Sequence, residues 1–228
     1  MLDLDDLFLH EQLLLLALND EKGTMQGQLF EYGAAGAMLT ELLLRNCIVL
    51  DESKKNKKRY VKVAATSSIG DPLLVELLAQ VRMAKRPAPL STWVRRAAGT
   101  RRLRHRIADR LRYRGILGKK EGRVLFVFSR QLYPTMNPAP EHELVERMRA
   151  AVLGEDAVPP RTAVMVTLAR QLDLLRHVLT RAELKARKRR LKDLDELGTS
   201  DEATRAAVAA VKEVIAATHA AVIAATSG

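Results

Sequence analysis

The chain has 228 residues, enough for one large domain or two small ones. Apolar residues make up 47% of it and aromatics 4%, which excludes wholesale disorder and implies a core of Leu, Val, Ile and Ala, the material of packed helices more than of a β-sandwich. Thirty-eight Lys and Arg against 27 acids give a net charge of +11 and a pI near 10.0, so phosphate-rich partners are expected, either nucleic acid or an acidic lipid leaflet.

Asp3, Asp5 and Asp6 precede the first apolar stretch, so no secretory leader is expected. No apolar run approaches the ~20 residues that span a bilayer, so the expectation is a cytoplasmic protein whose membrane contact is peripheral. Residues 7–18 are too apolar to stay exposed and too short to span, which predicts a buried helix. Asn19–Gly27 reads as a turn. A helix follows over 28–45, in which Gly33 and Gly36 imply a close contact with another backbone or side chain. Ile48–Leu50 and Tyr60–Ala64 have strand character and flank a basic tip, predicting a β-hairpin.

Gly70-Asp71-Pro72 is a helix start, with Asp71 as N-cap and Pro72 at the first helical position. Leu73, Leu74, Leu77, Leu78 and Val81 give that helix one apolar face. Pro87 and Pro89 break the chain, Ser91 is the expected cap of a helix through Ala98, and Gly99 ends it. A helix is predicted over 101–114, then a second hairpin pairing Ile116–Leu117 with Val124–Phe128. Four more helices are expected over 141–153, 160–178, 181–197 and Ser200–Ala225. The two units in which a helix runs into a hairpin echo each other, a pattern also found in winged-helix domains.

The densest charge cluster is Arg95, Arg96, Arg101, Arg102, Arg104, Arg106, Arg110, Arg112 and Arg114, with Asp109 the lone acid among them. Leu103, Ile107 and Leu111 form its buried stripe, which places Arg101 and Arg104 on one face beside it. Arg suits phosphate through its planar fork, and local acids are too scarce to neutralise this many, so an anion site is expected there. Lys185–Lys192 is a second basic run, read as the outer face of an amphipathic helix carrying Leu184, Leu191, Leu194 and Leu197. Cys47 lies in an apolar run and reads as a buried structural thiol. The five His show no metal-ligand spacing and no nucleophile or phosphate-loop motif occurs, so no catalytic residue, metal or cofactor is expected.

Glu11–Gly23, Gly36–Arg45, Gly70–Leu74, Trp93 and Arg112–Leu117, in that order and spacing, resemble the Golgi phosphoprotein 3 family from about residue 7 to the end. The Ala- and Arg-rich composition is that of a bacterial-type member, to which a Golgi role does not transfer. The resemblance implies one mainly α domain over 1–228, a central helical bundle surrounded by amphipathic helices and two β-hairpins. It implies binding of phosphatidylinositol 4-phosphate through a Trp and three Arg. Two of those Arg fall on Arg101 and Arg104; the third falls on Ala35 and the Trp near Gln26, so half the pocket is altered, and Arg102 is the candidate that compensates. The family's second hairpin serves self-association and membrane contact; here it corresponds to Leu125, Phe126, Val127 and Phe128 after Val124, and a buried strand pair is an equal reading. The expected function is therefore a non-catalytic peripheral membrane adaptor that binds phosphoinositide-type headgroups through its Arg face, with homo-oligomers through the 116–128 hairpin. The alternative is a winged-helix-like nucleic-acid-binding protein; against it, the Arg-bearing helices lack Asn or Gln at base-reading positions.

Overall fold

Every residue of α1 (Leu9–Ala17) is buried, including His10, Glu11 and Gln12. A computed structural model describes residues 4–19, 24–25, 30–52, 59–64, 69–124 and 128–197. α1 follows a 3-10 turn (Leu4–Asp6) and leads into the short antiparallel pair β1 (Leu18–Asn19) and β2 (Thr24–Met25). α2 (Phe30–Leu44), α5 (Leu103–Tyr113), α6 (Ala139–Leu153) and α7 (Pro160–Gln171) pack around α1, which gives the expected central helical bundle. One hydrophobic cluster runs from Leu4 to Leu194 through all of these helices.

The first hairpin forms as predicted: β3 (Ile48–Glu52) pairs with β4 (Arg59–Val63), and β5 (Ala88–Pro89) adds an antiparallel edge, where Pro89 costs no ladder bond. Its tip, 53–58, lies outside the described residues. α3 (Pro72–Met83) buries all five residues of its predicted apolar face, and the Asp71 carboxylate accepts from the Leu74 amide at 2.8 Å. α4 (Leu90–Ala98) packs against α2, buries Trp93 and ends at Gly99. Pro89, not Ser91, is its N-cap; Ser91 already lies in the first turn. A Cβ on Gly33 would stand 2.3 Å from Leu172 Cδ1, which is the close approach its place in the helix implied.

The second hairpin is shifted from the expected pairing. β6 (Lys120–Val124) pairs with β7 (Phe128–Leu132), Val124 opposite Phe128. Ile116 and Leu117 cannot serve as its first strand because they close α5 instead. Gly115 adopts φ 75°, the Gly115 amide donates to Arg112 O (2.9 Å) and the Ile116 amide to Leu111 O (3.0 Å), and both apolar side chains fold into the core. The same six-to-one closure recurs at Asn46 after α2, where the Cys47 amide donates to Leu42 O (2.8 Å). This shared cap is the physical content of the echo between the two helix–hairpin units. Of the expected apolar hairpin, Leu125, Phe126 and Val127 lie outside the described residues; Phe128 opens β7, and its side chain is not among those described.

A third closure at Asp173 (φ 58°) stops α7 at Gln171, where one helix to residue 178 was expected, and a 3-10 turn (Leu175–His177) follows. The expected helix over 181–197 divides at Arg187 into α8 (Arg181–Ala186) and α9 (Lys188–Leu197). The Ala-rich stretch from Ser200 to Ala225 lies outside the described residues, as does Gln26. Among the described residues no helix is long and apolar enough to cross a membrane.

Candidate functional site

α4 and α5 meet at a tight corner that carries the Arg cluster. Gly99 and Thr100 close α4 by donating to Arg95 O (3.1 Å) and Ala97 O (3.0 Å). Arg102 then takes a left-handed conformation (φ 57°, ψ 34°) as N-cap of α5 and provides no side-chain cap. A residue with a Cβ held there costs about 1–2 kcal/mol, so packing on both sides must impose the turn. Arg101 and Arg102 lie in this turn. Both are exposed, as is Arg95, and none of the three has an ion-pair partner among the described residues. Arg96 is exposed too, with its guanidinium 4.7 Å from the centre of the Trp93 ring.

The remaining Arg of the cluster behave differently. Arg106 pairs with Glu76 at 2.6 Å, and Arg112 with Asp109 at 3.5 Å. Arg110 reaches Asp71 at 2.6 Å and Glu11 at 3.3 Å, and Arg114 approaches Glu11 at 3.5 Å. Local scarcity of acids was therefore a misleading guide. Glu11, Glu31, Asp71 and Glu76 arrive from α1, α2, the α3 cap and α3, elements far away in the sequence. Once they are in place, the Arg of the cluster without an acid partner among the described residues are Arg95, Arg96, Arg101 and Arg102.

Arg104 is the point where expectation and geometry part. Sequence placed it with Arg101 around one anion; its guanidinium instead meets Glu31, Nε to Oε1 at 2.5 Å and Nη2 to Oε2 at 2.9 Å. The ring of the buried Phe30 lies beneath it at 5.1 Å. Ala35, at the matched position of the family's third Arg, is buried in α2 and offers no polar group. Next on α5, His105 Nδ1 stands 3.0 Å from the Tyr133 hydroxyl. Burial, and then the positive charge of Arg102, Arg104 and Lys119, hold the His105 ring below its usual pKa against the opposing pull of Asp109.

Beneath this corner lies a buried polar network that no local motif announced. Glu11 accepts from the Phe8 amide and Glu41 from the Leu9 amide, each at 2.9 Å, so two buried carboxylates satisfy the start of α1. Glu41 also takes Arg45 Nε (2.8 Å) and Arg161 Nη1 (3.1 Å), and Arg161 donates to Leu7 O (2.7 Å). The second basic run is likewise partly structural: Arg187 and Arg190 donate to the carbonyls of Leu153, Ala151 and Asp156 at the end of α6, while Leu191 and Leu194 are buried as their spacing required. Cys47 is fully buried. A concavity of about 560 Å³ between α1, α6 and α7 has Arg147 and Arg161 in its wall, but Asp5, Glu143 and Glu41 already hold them.

A protein-family model described as Golgi phosphoprotein 3 (GPP34) matches residues 9–218.

Proposed function

The chain belongs to the Golgi phosphoprotein 3 (GPP34) family, and we propose that it is a non-catalytic, cytoplasmic adaptor that docks peripherally on membranes bearing phosphoinositide-type headgroups. The observation that carries this reading is the exposed Arg turn before α5: Arg101 and Arg102 are unpaired among the described residues, while their neighbours on α5 are held by acids. Each Lys or Arg near an anionic leaflet contributes about 1 kcal/mol, so Arg95, Arg96, Arg101 and Arg102 acting together give useful affinity without insertion. The hairpin β6–β7 is the natural second contact, as an interfacial element or as a surface for a second copy of the chain.

The test is co-sedimentation with phosphatidylcholine vesicles containing phosphatidylinositol 4-phosphate, against phosphatidylserine vesicles matched in surface charge, beside a duplex-DNA gel shift at the same salt. Binding to the phosphoinositide vesicles that falls in an Arg101→Ala/Arg102→Ala double variant supports the reading. Binding to duplex DNA alone would replace it with the nucleic-acid alternative.

A further inference from the structure

Arg104 and its partner differ from the ion pairs that Arg110 makes. Glu11 and Asp71, the acids that hold Arg110, have no exposed side-chain surface and belong to the core. Glu31 is 37% exposed and Arg104 23%, so this pair sits at the surface, in the first turn of α2 and one turn along from Arg101. Nη2 donates to one carboxylate oxygen, and the other oxygen stands in close ion contact with Nε. The edge of the guanidinium that Glu31 covers is the one through which Arg also grips phosphate. Phe30, buried below, holds the guanidinium plane in place, whatever anion lies above it.

We propose that Glu31 is a resident competitor: its carboxylate occupies the place on Arg104 that a headgroup phosphate would take, and ligand binds by exchanging with it. The inference rests on the headgroup reading of the Arg101–Arg102 turn and adds a residue to that site. It also names the ligand class. A phosphomonoester brings up to two negative charges and three acceptor oxygens, so it replaces the single charge of Glu31 with a gain and can bridge to Arg101 or Arg102. A phosphodiester monoanion brings no more charge than the carboxylate it must displace. It is left with the outer Arg alone.

Removing the competitor while keeping its shape therefore strengthens binding. In Glu31→Gln, affinity for phosphatidylinositol 4-phosphate vesicles should rise about fivefold, the upper range for a part-exposed pair. The rise should exceed that for phosphatidylserine vesicles of equal surface charge. Glu76→Gln removes the same charge from the acid facing Arg106 and serves as the control, expected to change binding less. Arg104→Ala should cost more affinity in the Glu31→Gln background than in the parent, because only there is the Glu31 carboxylate no longer competing for Arg104. Equal gains in Glu31→Gln and Glu76→Gln, or an Arg104→Ala cost that is the same in both backgrounds, would overturn the proposal as a generic charge effect. If Glu31→Gln does nothing while Arg101→Ala/Arg102→Ala abolishes binding, the competitor fails and the headgroup site stands. If none of the variants alters binding, the headgroup reading itself is wrong.

Discussion

Arg110 brings its Nε to 2.6 Å from the Asp71 carboxylate, joining the last turn of α5 to the N-cap of α3. Asp71 thus does two jobs with two oxygens: Oδ1 accepts from the Leu74 amide, while Oδ2 faces Arg110 and, at 3.3 Å, His10 Nε2. Burial alone would raise its pKa, but His10, the Leu74 amide and Arg110 together hold it below the ordinary carboxylate range.

The two jobs separate by substitution. Asp71→Asn keeps a cap acceptor and loses the charge that faces Arg110; Asp71→Ala loses both. Breaking a buried pair costs about 3 kcal/mol or more, and a lost N-cap about 1 kcal/mol on top. Urea unfolding should therefore rank the parent above Asp71→Asn and that above Asp71→Ala. Equal stability of the two variants would show that the cap contributes nothing.

Glu41 binds α2 to α1 and α7. Glu41→Ala strips acceptors from the Leu9 amide, Arg45 and Arg161 at once. The expected loss is about 3 kcal/mol, the low end for a broken buried pair, because Arg45 and Arg161 both reach solvent. That is a large share of a typical total stability of about 5–15 kcal/mol. A thermal melt that moved no further than for an ordinary surface substitution would contradict this role.

Acid should unfold the protein through these same carboxylates. Burial pulls the Glu41 carboxyl upward, but hydrogen bonds from Arg161, Leu9 and Arg45 outweigh it and hold its pKa below the usual range. Arg149 first, then the Thr180 amide and hydroxyl, push Glu183 down from 4.5 to about 2. A group whose pKa is depressed in the folded state contributes its stability fully above the unfolded value and loses it as pH falls through the folded one. The denaturant midpoint should accordingly drop between about pH 4.5 and 2, after a smaller fall that begins below about pH 6.5, where the depressed His105 favours the unfolded chain. Glu183→Gln should flatten part of that drop without changing its direction.

Membrane association should be salt-sensitive and should depend on the turn, not on the whole cluster. Screening shortens from about 10 Å at 0.1 M salt to about 3 Å at 1 M. Arg101→Ala and Arg102→Ala should each weaken binding about fivefold, one leaflet charge apiece. Arg106→Ala, whose charge Glu76 already meets, should weaken it less. Vesicle binding that survives 1 M salt unchanged would shift the contact to an inserted hairpin.

Most of the fold was legible along the chain because its signals are local. The apolar run of α1, the Asp71-Pro72 start, the single face of α3 and the first hairpin each depend on spacing within a dozen residues. What failed did so for a nameable reason. Ile116 and Leu117 look like a strand, yet Gly115 at φ 75° turns them into the cap of α5, and the hairpin begins four residues later. Helix 160–178 looked continuous, yet the left-handed Asp173 ends it, and a residue with a Cβ in that conformation carries no sequence signature as clear as glycine's.

Sequence by itself determined the helical class, the order of the elements, the surplus of positive charge and the run of Arg from 95 to 114. Only the tertiary structure decided which of those Arg remain open. The reason is electrostatic and long-range: the acids that neutralise Arg104, Arg106 and Arg110 stand 30 to 99 residues away along the chain, and folding alone brings them to within about 3 Å.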